Sequence, residues 1–229
     1  MTKPLPTDTP PAEIDKPSLA ARVYDDLRTR LITGQVVPGI AFSTRGLAQE
    51  LGVSQMPVRD ALGRLATEGG VEIRSKRRIT VPAMTRIRYD DLMRCRLLLE
   101  PAAAVAAMPF IDAARLTNLR ATDEAIDAAL ASGDVNAYLR GNFEFHFLIY
   151  RAGPLPTMNR MIETLWMQFG PFMRVIYDRC DTKGLVDRHQ EAIRAIEARD
   201  ANALHHAISE DIADGMRLIT ADGHDDTLA

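Results

Sequence analysis

Two short helical patterns separated only by Gly52, Val53 and Ser54 constrain this chain more than any other feature in it. The first, STRGLAQELG, opens on Ser43 as a cap and carries Leu47 and Leu51 on one side, with Thr44 and Arg45 expected to be exposed in its first turn. Gly52 ends it. The second, SQMPVRDALGRL, opens on Ser54, so Pro57 falls in the first turn, where it removes only an amide that has no intrahelical partner. Val58, Leu62 and Leu65 follow a spacing of four and then three and form a buried stripe. Gln55, Met56, Arg59, Asp60 and Gly63 are left outside, on a face that begins at a helix N-terminus, where backbone amides favour phosphate. Two capped helices across so tight a turn make a helix-turn-helix.

The stretch that follows, VEIRSKRRITV, has strand character and places Arg74, Lys76, Arg77 and Arg78 in a basic hairpin. Such a wing, with both helix starts, would hold a duplex backbone while the second helix enters the major groove. The charge distribution agrees. Residues 18–88 carry twelve Lys/Arg against six Asp/Glu, a net of +6 in a chain whose total is −3, which leaves −9 for the remainder. A basic front on an acidic body points to a polyanionic partner.

The expected organisation is mostly α: a tail over 1–17 rich in Pro, Thr and Asp, a winged helix-turn-helix over 18–84, an all-helical antiparallel bundle over 85–221, and a short tail over 222–229. Pro82 and MTRIR read as the linker, and turns are expected at MPFIDA, ASGD, AGPLP, CDTKG and ARDA. No apolar run is long enough to span a bilayer and the N-terminus has no apolar signal core, so a cytoplasmic location is expected. Cys95 and Cys180 are far apart and read as free thiols of a reducing compartment.

The motifs G-x-x-x-P-G, L-A-x-x-L-G-V-S, P-V-R-x-A-L-x-R-L and E-G-G follow in order from Gly34 to Gly70, and in them the chain resembles the winged-helix domain of the GntR family of bacterial transcription regulators. The resemblance implies that Arg45 and Arg59 read guanines while Ser43, Thr44, Ser54, Gln55 and Met56 contact the duplex beside them. The wing departs from the family pattern, because Lys76 and Arg78 stand where glycines are common, and Gly46 stands where an acidic residue is common. Arg77 completes the basic tip.

From Tyr89 to Ile219, the segments DDLMRCRLLLEPAAAVAA, FEFHFLIYRAG and HQEAIRAIEARDANAL resemble the FCD effector domain of the FadR subfamily. That resemblance implies a divalent metal held by an aspartate and a histidine one turn apart and by two later histidines, with a small carboxylate effector bound beside an arginine. Here Asn142 stands in place of the aspartate and Asp211 in place of the last histidine.

Helix phase keeps a ligand set together all the same. Asn142 and His146 share a face with Tyr138, Phe145 and Ile149. His189 lies within the stripe Leu185, Ala192, Ile193 and Ile196, and Asp211 within Leu204, Ala207, Ile208, Gly215 and Leu218. His205 and His206 point elsewhere. A buried carboxylate without a partner costs several kcal/mol, so Asp211 needs a cation or a strong donor. The expectation is one divalent metal per subunit on Asn142, His146, His189 and Asp211, of a kind that N/O donors suit: zinc, nickel or manganese. A hydrogen-bonded polar core, or an effector site without metal, is the alternative.

Arg96 and Glu100 lie one turn apart, which reads as an intrahelical ion pair. By resemblance, Arg96 holds the effector carboxylate and Glu100 orients it. Trp166, Phe169, Phe172, Met173 and Arg174 are expected in the core or around the cavity. Two histidines and one carboxylate can also support hydrolysis or oxygen chemistry, but no nucleophile or general base accompanies them. The expected protein is a homodimeric repressor, not an enzyme, that binds a pseudo-palindromic double-stranded operator under the control of a small carboxylate.

Overall fold

The helices α1 (Leu19–Ile32), α2 (Thr44–Glu50) and α3 (Gln55–Thr67) precede a hairpin of β1 (Glu72–Ser75) and β2 (Arg78–Thr80). Among the described residues, six further α-helices follow: α4 (Arg86–Ala107), α5 (Ala113–Ser132), α6 (Val135–Tyr150), α7 (Pro156–Arg179), α8 (His189–Ala198) and α9 (Ala201–Ala221). The structure is a computed structural model that describes residues 17–179 and 188–221, with side chains described for 17–177 and 188–214. The expected CDTKG turn, residues 1–16 and 222–229 of the expected tails, Cys180 and Leu185 lie outside these, as do the side chains of the outer stripe residues Gly215 and Leu218. No helix among the described residues is long and apolar enough to cross a membrane.

The Ser43 hydroxyl accepts from the Gly46 N–H at 3.0 Å, as a cap should. Ser54 occupies the cap position of α3, but its side chain makes no capping bond, so the first amides of α3 are not closed by it. Pro57, Val58, Ala61, Leu62 and Leu65 are buried on α3, and α1 packs across them with Val23, Tyr24, Leu27 and Leu31. β1 and β2 pair antiparallel with Ile73 opposite Ile79, and Phe42 joins them through two backbone bonds to Ile79, of 2.9 and 3.0 Å. The expected linker is shorter than MTRIR: Thr85 caps α4, accepting from the Arg88 N–H, and the helix has begun by Arg86.

The remaining helices form an antiparallel bundle. A left-handed Gly133 (φ 73°) closes α5 and lets the chain reverse into α6, whose first turn Asp134 caps. α4 runs beside α7 in the opposite sense, as shown by Arg88 bonding Gln168 near one end and Ala107 lying against Gly153 near the other. The two parts of the chain meet where α1 ends on α7. A Cβ placed on Gly170 would lie 2.3 Å from the Ile32 carbonyl oxygen and 2.4 Å from that of Leu31, so backbone rests on backbone there. Gln168 donates to the Glu68 carbonyl at 3.1 Å, and Arg88 donates to Gly69 O and Gln168 Oε1 across the same seam.

Candidate DNA-reading face and candidate metal centre

Gln55, Met56, Arg59, Asp60 and Gly63 lie on the exposed face of α3, and Arg45 is exposed on the first turn of α2. Lys76, Arg77 and Arg78 are all exposed at the tip and outgoing strand of the hairpin. Arg74 is exposed as well but is drawn back to Glu72 at 3.2 Å, leaving the three tip cations as the wing's open charge. Thr44 is a correction. It was expected to be exposed, yet it is buried (6 % exposed). It sits three and four residues before Leu47 and Ala48 and so heads their buried stripe instead of facing outward.

In the bundle, α6 buries Asn142 and His146 with Tyr138, Phe145 and Ile149, the face expected from phase. α8 begins with His189, and α9 brings Asp211 to both imidazoles. His146 Nε2 lies 3.1 Å from Asp211 Oδ2, and His189 Nε2 lies 4.0 Å from Asp211 Oδ1. One ligand atom from each of the three residues falls within 4.8 Å of the others. The Arg188 N–H also donates to Asp211 Oδ1, at 3.1 Å. Burial would push the Asp211 carboxyl up. The hydrogen bond from His146, the charge of both imidazoles and the Arg188 amide reverse this and hold it well below the usual carboxylate range.

A second polar group joins the first through one hydroxyl. Arg96 donates from Nε to Glu100 Oε1 at 2.6 Å, the intrahelical pair read from the spacing, and both residues are buried. The Arg96 guanidinium lies between the Trp166 and Phe169 rings, 4.8 Å from each centroid. Glu100 Oε2 accepts from Tyr150 Oη at 2.9 Å and from Trp166 Nε1 at 3.0 Å. Burial, then the charge of Glu100, raises the Tyr150 hydroxyl well above its ordinary value, so it remains a donor. Its proton is committed to Glu100, so its oxygen accepts from His146 Nδ1, 3.0 Å away.

That chain selects a tautomer. With a proton on Nδ1, the Nε2 atom of His146 faces the Asp211 carboxylate and shares with it either a second proton or a cation. A metal cation there would take both atoms as ligands in place of the shared proton. The donor set therefore fits a borderline divalent ion that takes imidazole and carboxylate ligands. Asn142, buried one turn before His146, is the amide-oxygen candidate. His205 and His206 are exposed.

Two residues of this region were not picked out from sequence. Tyr150 lies one turn after His146, and buried Asp123 on α5 places Oδ1 3.3 Å from His189 Nδ1. Asp123 carried a readable signal, because it shares the phase of Leu119 and Ile126, four and three residues away.

With both regions in view, comparison with known proteins defines the class. Residues 19–81 match the model of the bacterial regulatory proteins of the gntR family, and residues 91–214 match that of the FCD domain. The chain belongs to the GntR family of bacterial transcription regulators, with an FCD domain behind its DNA-binding domain; the family is one of regulators, not enzymes. Among its relatives is the HTH-type transcriptional regulator McbR of Escherichia coli (strain K12), 28 % identical over 205 residues that cover 88 % of this chain and 93 % of that protein. The solved structure of E. coli McbR/YncC superimposes with a TM-score of 0.85 at 27 % identity, covering 91 % of this chain and 100 % of the other. The gluconate operon transcriptional repressor of Bacillus subtilis (strain 168) is 23 % identical over 211 residues, covering 88 % of this chain and 85 % of that protein.

Proposed function

We propose that this chain is a cytoplasmic, homodimeric repressor whose affinity for a pseudo-palindromic operator is set by a small carboxylate bound beside one divalent metal ion per subunit. The observation that carries the metal reading is the Asp211 carboxylate facing His146 Nε2, whose other nitrogen is committed to Tyr150. His146, His189 and Asp211 would hold the ion, with Asn142 as a weaker fourth donor. When bound, the ion supplies a positive centre for an anion. Arg96 supplies a second: among the described residues only its Nε is hydrogen-bonded, which leaves the fork of terminal nitrogens for a carboxylate, with Glu100 orienting it. One relative is named as the repressor of a gluconate operon, which makes gluconate, a hydroxy-carboxylate, a first anion to try. Dimerisation is supported by apolar side chains left open on two neighbouring helices, Leu98 of α4 (74 % exposed) and Met161 of α7 (53 %).

On DNA, the N-terminal turn of α3 would enter the major groove, with Gln55, Met56, Arg59 and Ser54 at its leading end. Arg45 would contact the duplex beside them, and Ser43 would lie close to the backbone. The buried Thr44 would act through packing only. Arg59→Ala is expected to cost about 1–3 kcal/mol on the specific site. Replacing Lys76, Arg77 and Arg78 together should instead weaken binding to all sequences and flatten the salt dependence. Anisotropy titrations of operator and scrambled duplexes at several salt concentrations separate the two effects. Equal specificity ratios in the two variants would defeat this assignment.

For the metal, calorimetric titration with zinc, nickel and manganese is expected to give one site per subunit, lost in His146→Ala and tightened in Asn142→Asp, which adds a charged oxygen one turn from His146. If neither the wild type nor Asn142→Asp takes up any of the three, the pocket binds its effector without metal.

A further inference from the structure

We propose that Asp123 is a positioning residue of the metal centre: it aims His189 at the ion. This rests on the metal reading of His146, His189 and Asp211 given above. Asp123 belongs to the buried face of α5, in phase with Leu119 and Ile126, and is 5 % exposed. A carboxylate in such surroundings costs several kcal/mol unless a positive group compensates it. Among the described residues its ion-pair partner is His189, whose Nδ1 is 3.3 Å from Oδ1. Arg120, on the same helix, is paired instead with Glu197.

The His189 ring is held in two independent ways. Phe145 stacks on its face, with centroids 3.9 Å apart and planes 25° from parallel, which sets the plane of the ring. Asp123 Oδ1 stands 3.3 Å from its Nδ1 edge, where the carboxylate charge favours the tautomer with the proton on Nδ1. The Nε2 lone pair is then turned toward Asp211 Oδ1, 4.0 Å away. That gap is too long for a hydrogen bond. Two metal–ligand bonds of roughly 2.1 Å opening at a tetrahedral angle would span roughly 3.4 Å, so the gap is of the size that one shared ion bridges. A histidine ligand that donates its second N–H to a carboxylate is a recurrent support for metal sites, and losing such a partner typically weakens metal affinity about 10–100-fold.

Charge gives the second argument. Asp123 places a buried carboxylate behind His189, which makes that imidazole a stronger donor to a cation. His146 has no such support, because its Nδ1 partner is the neutral Tyr150 hydroxyl. The two histidines are therefore unequally supported ligands.

Zinc alone is the probe for the test. Competition titration against a chromogenic chelator gives the zinc affinity of wild type and Asp123→Asn, and long-range proton–nitrogen NMR gives the His189 tautomer in each. The expected result is a 10–100-fold loss of affinity in Asp123→Asn, with His189 no longer held as a single Nδ1–H tautomer and with an unchanged amide spectrum outside the α5–α8 contact. Zinc affinity within threefold of wild type would overturn the role of Asp123 and leave the metal reading standing. A wild-type His189 protonated at Nε2 in the zinc-free protein would overturn it without any variant. A wild type that takes up no zinc, nickel or manganese would bring down the metal reading and this inference with it.

Discussion

Glu100→Ala is expected to lose about 3–5 kcal/mol of folding stability, the range for breaking a buried ion pair from one side. Glu100 is fully buried and receives three donors: Arg96 Nε at 2.6 Å, Tyr150 Oη at 2.9 Å and Trp166 Nε1 at 3.0 Å. Alanine removes their common acceptor and leaves the Arg96 cation buried between two aromatic rings, whose faces compensate only part of a full charge. Glu100→Gln, which keeps the shape and one acceptor oxygen, should lose less. Exchanging both partners at once, Arg96→Met with Glu100→Leu, should recover only part of the loss: no orphaned charge remains, but Tyr150 Oη and Trp166 Nε1 still lack their acceptor. Urea unfolding of the metal-free proteins measures all three. A loss below about 1 kcal/mol in Glu100→Ala would mean that Arg96 finds another anion or water, contrary to the burial described.

Gly170→Val is expected to cost about 3 kcal/mol, the upper end for overpacking a well-filled site. The added carbon would meet the carbonyl oxygens of Ile32 and Leu31, and main chain cannot swing aside as a side-chain tip can. Pro171 follows directly and fixes its own φ, so α7 has little freedom to yield at that point. The strain must fall on the end of α1. Faster hydrogen exchange in the last turn of α1, together with a lowered thermal midpoint, is the expected signature. An unchanged midpoint would show that the two helices can part there without loss.

What sequence made legible was whatever depends on spacing along one helix. Pro57 in a first turn, Arg59 outside and Val58, Leu62 and Leu65 inside follow from α3 alone, and the structure places them so. Asn142, His146 and His189 were readable in the same way, as polar groups in apolar stripes. Thr44 differs from expectation because a polar side chain at a helix start suggests exposure, while its phase with Leu47 and Ala48 points inward. Tyr150 went unnoticed for a different reason. A tyrosine on an apolar face reads as core, and only the meeting of α4, α6 and α7 shows that its hydroxyl stands between Glu100 and His146. Asp123 required knowing that α5 lies against α8. Pairings between helices remote in sequence leave no local periodicity to read. The same limit hid the seam at Gly170, since a glycine inside a helix pattern shows nothing of what presses on it.

The bridge between Phe42 and Ile79 has a consequence for how such a protein changes over time. Phe42 immediately precedes the Ser43 cap of α2, and Ile79 immediately follows Arg78 of the wing. Two main-chain bonds therefore set the span between Arg45 and the wing tip, and side-chain identity has little hold on that dimension. Grip and gauge are separate properties here. If Lys76, Arg77 and Arg78 hold a duplex as proposed, they can be exchanged to tighten or loosen that hold while the main-chain caliper keeps its opening. A lineage can thus retune how strongly it binds without relearning where its arms must fall.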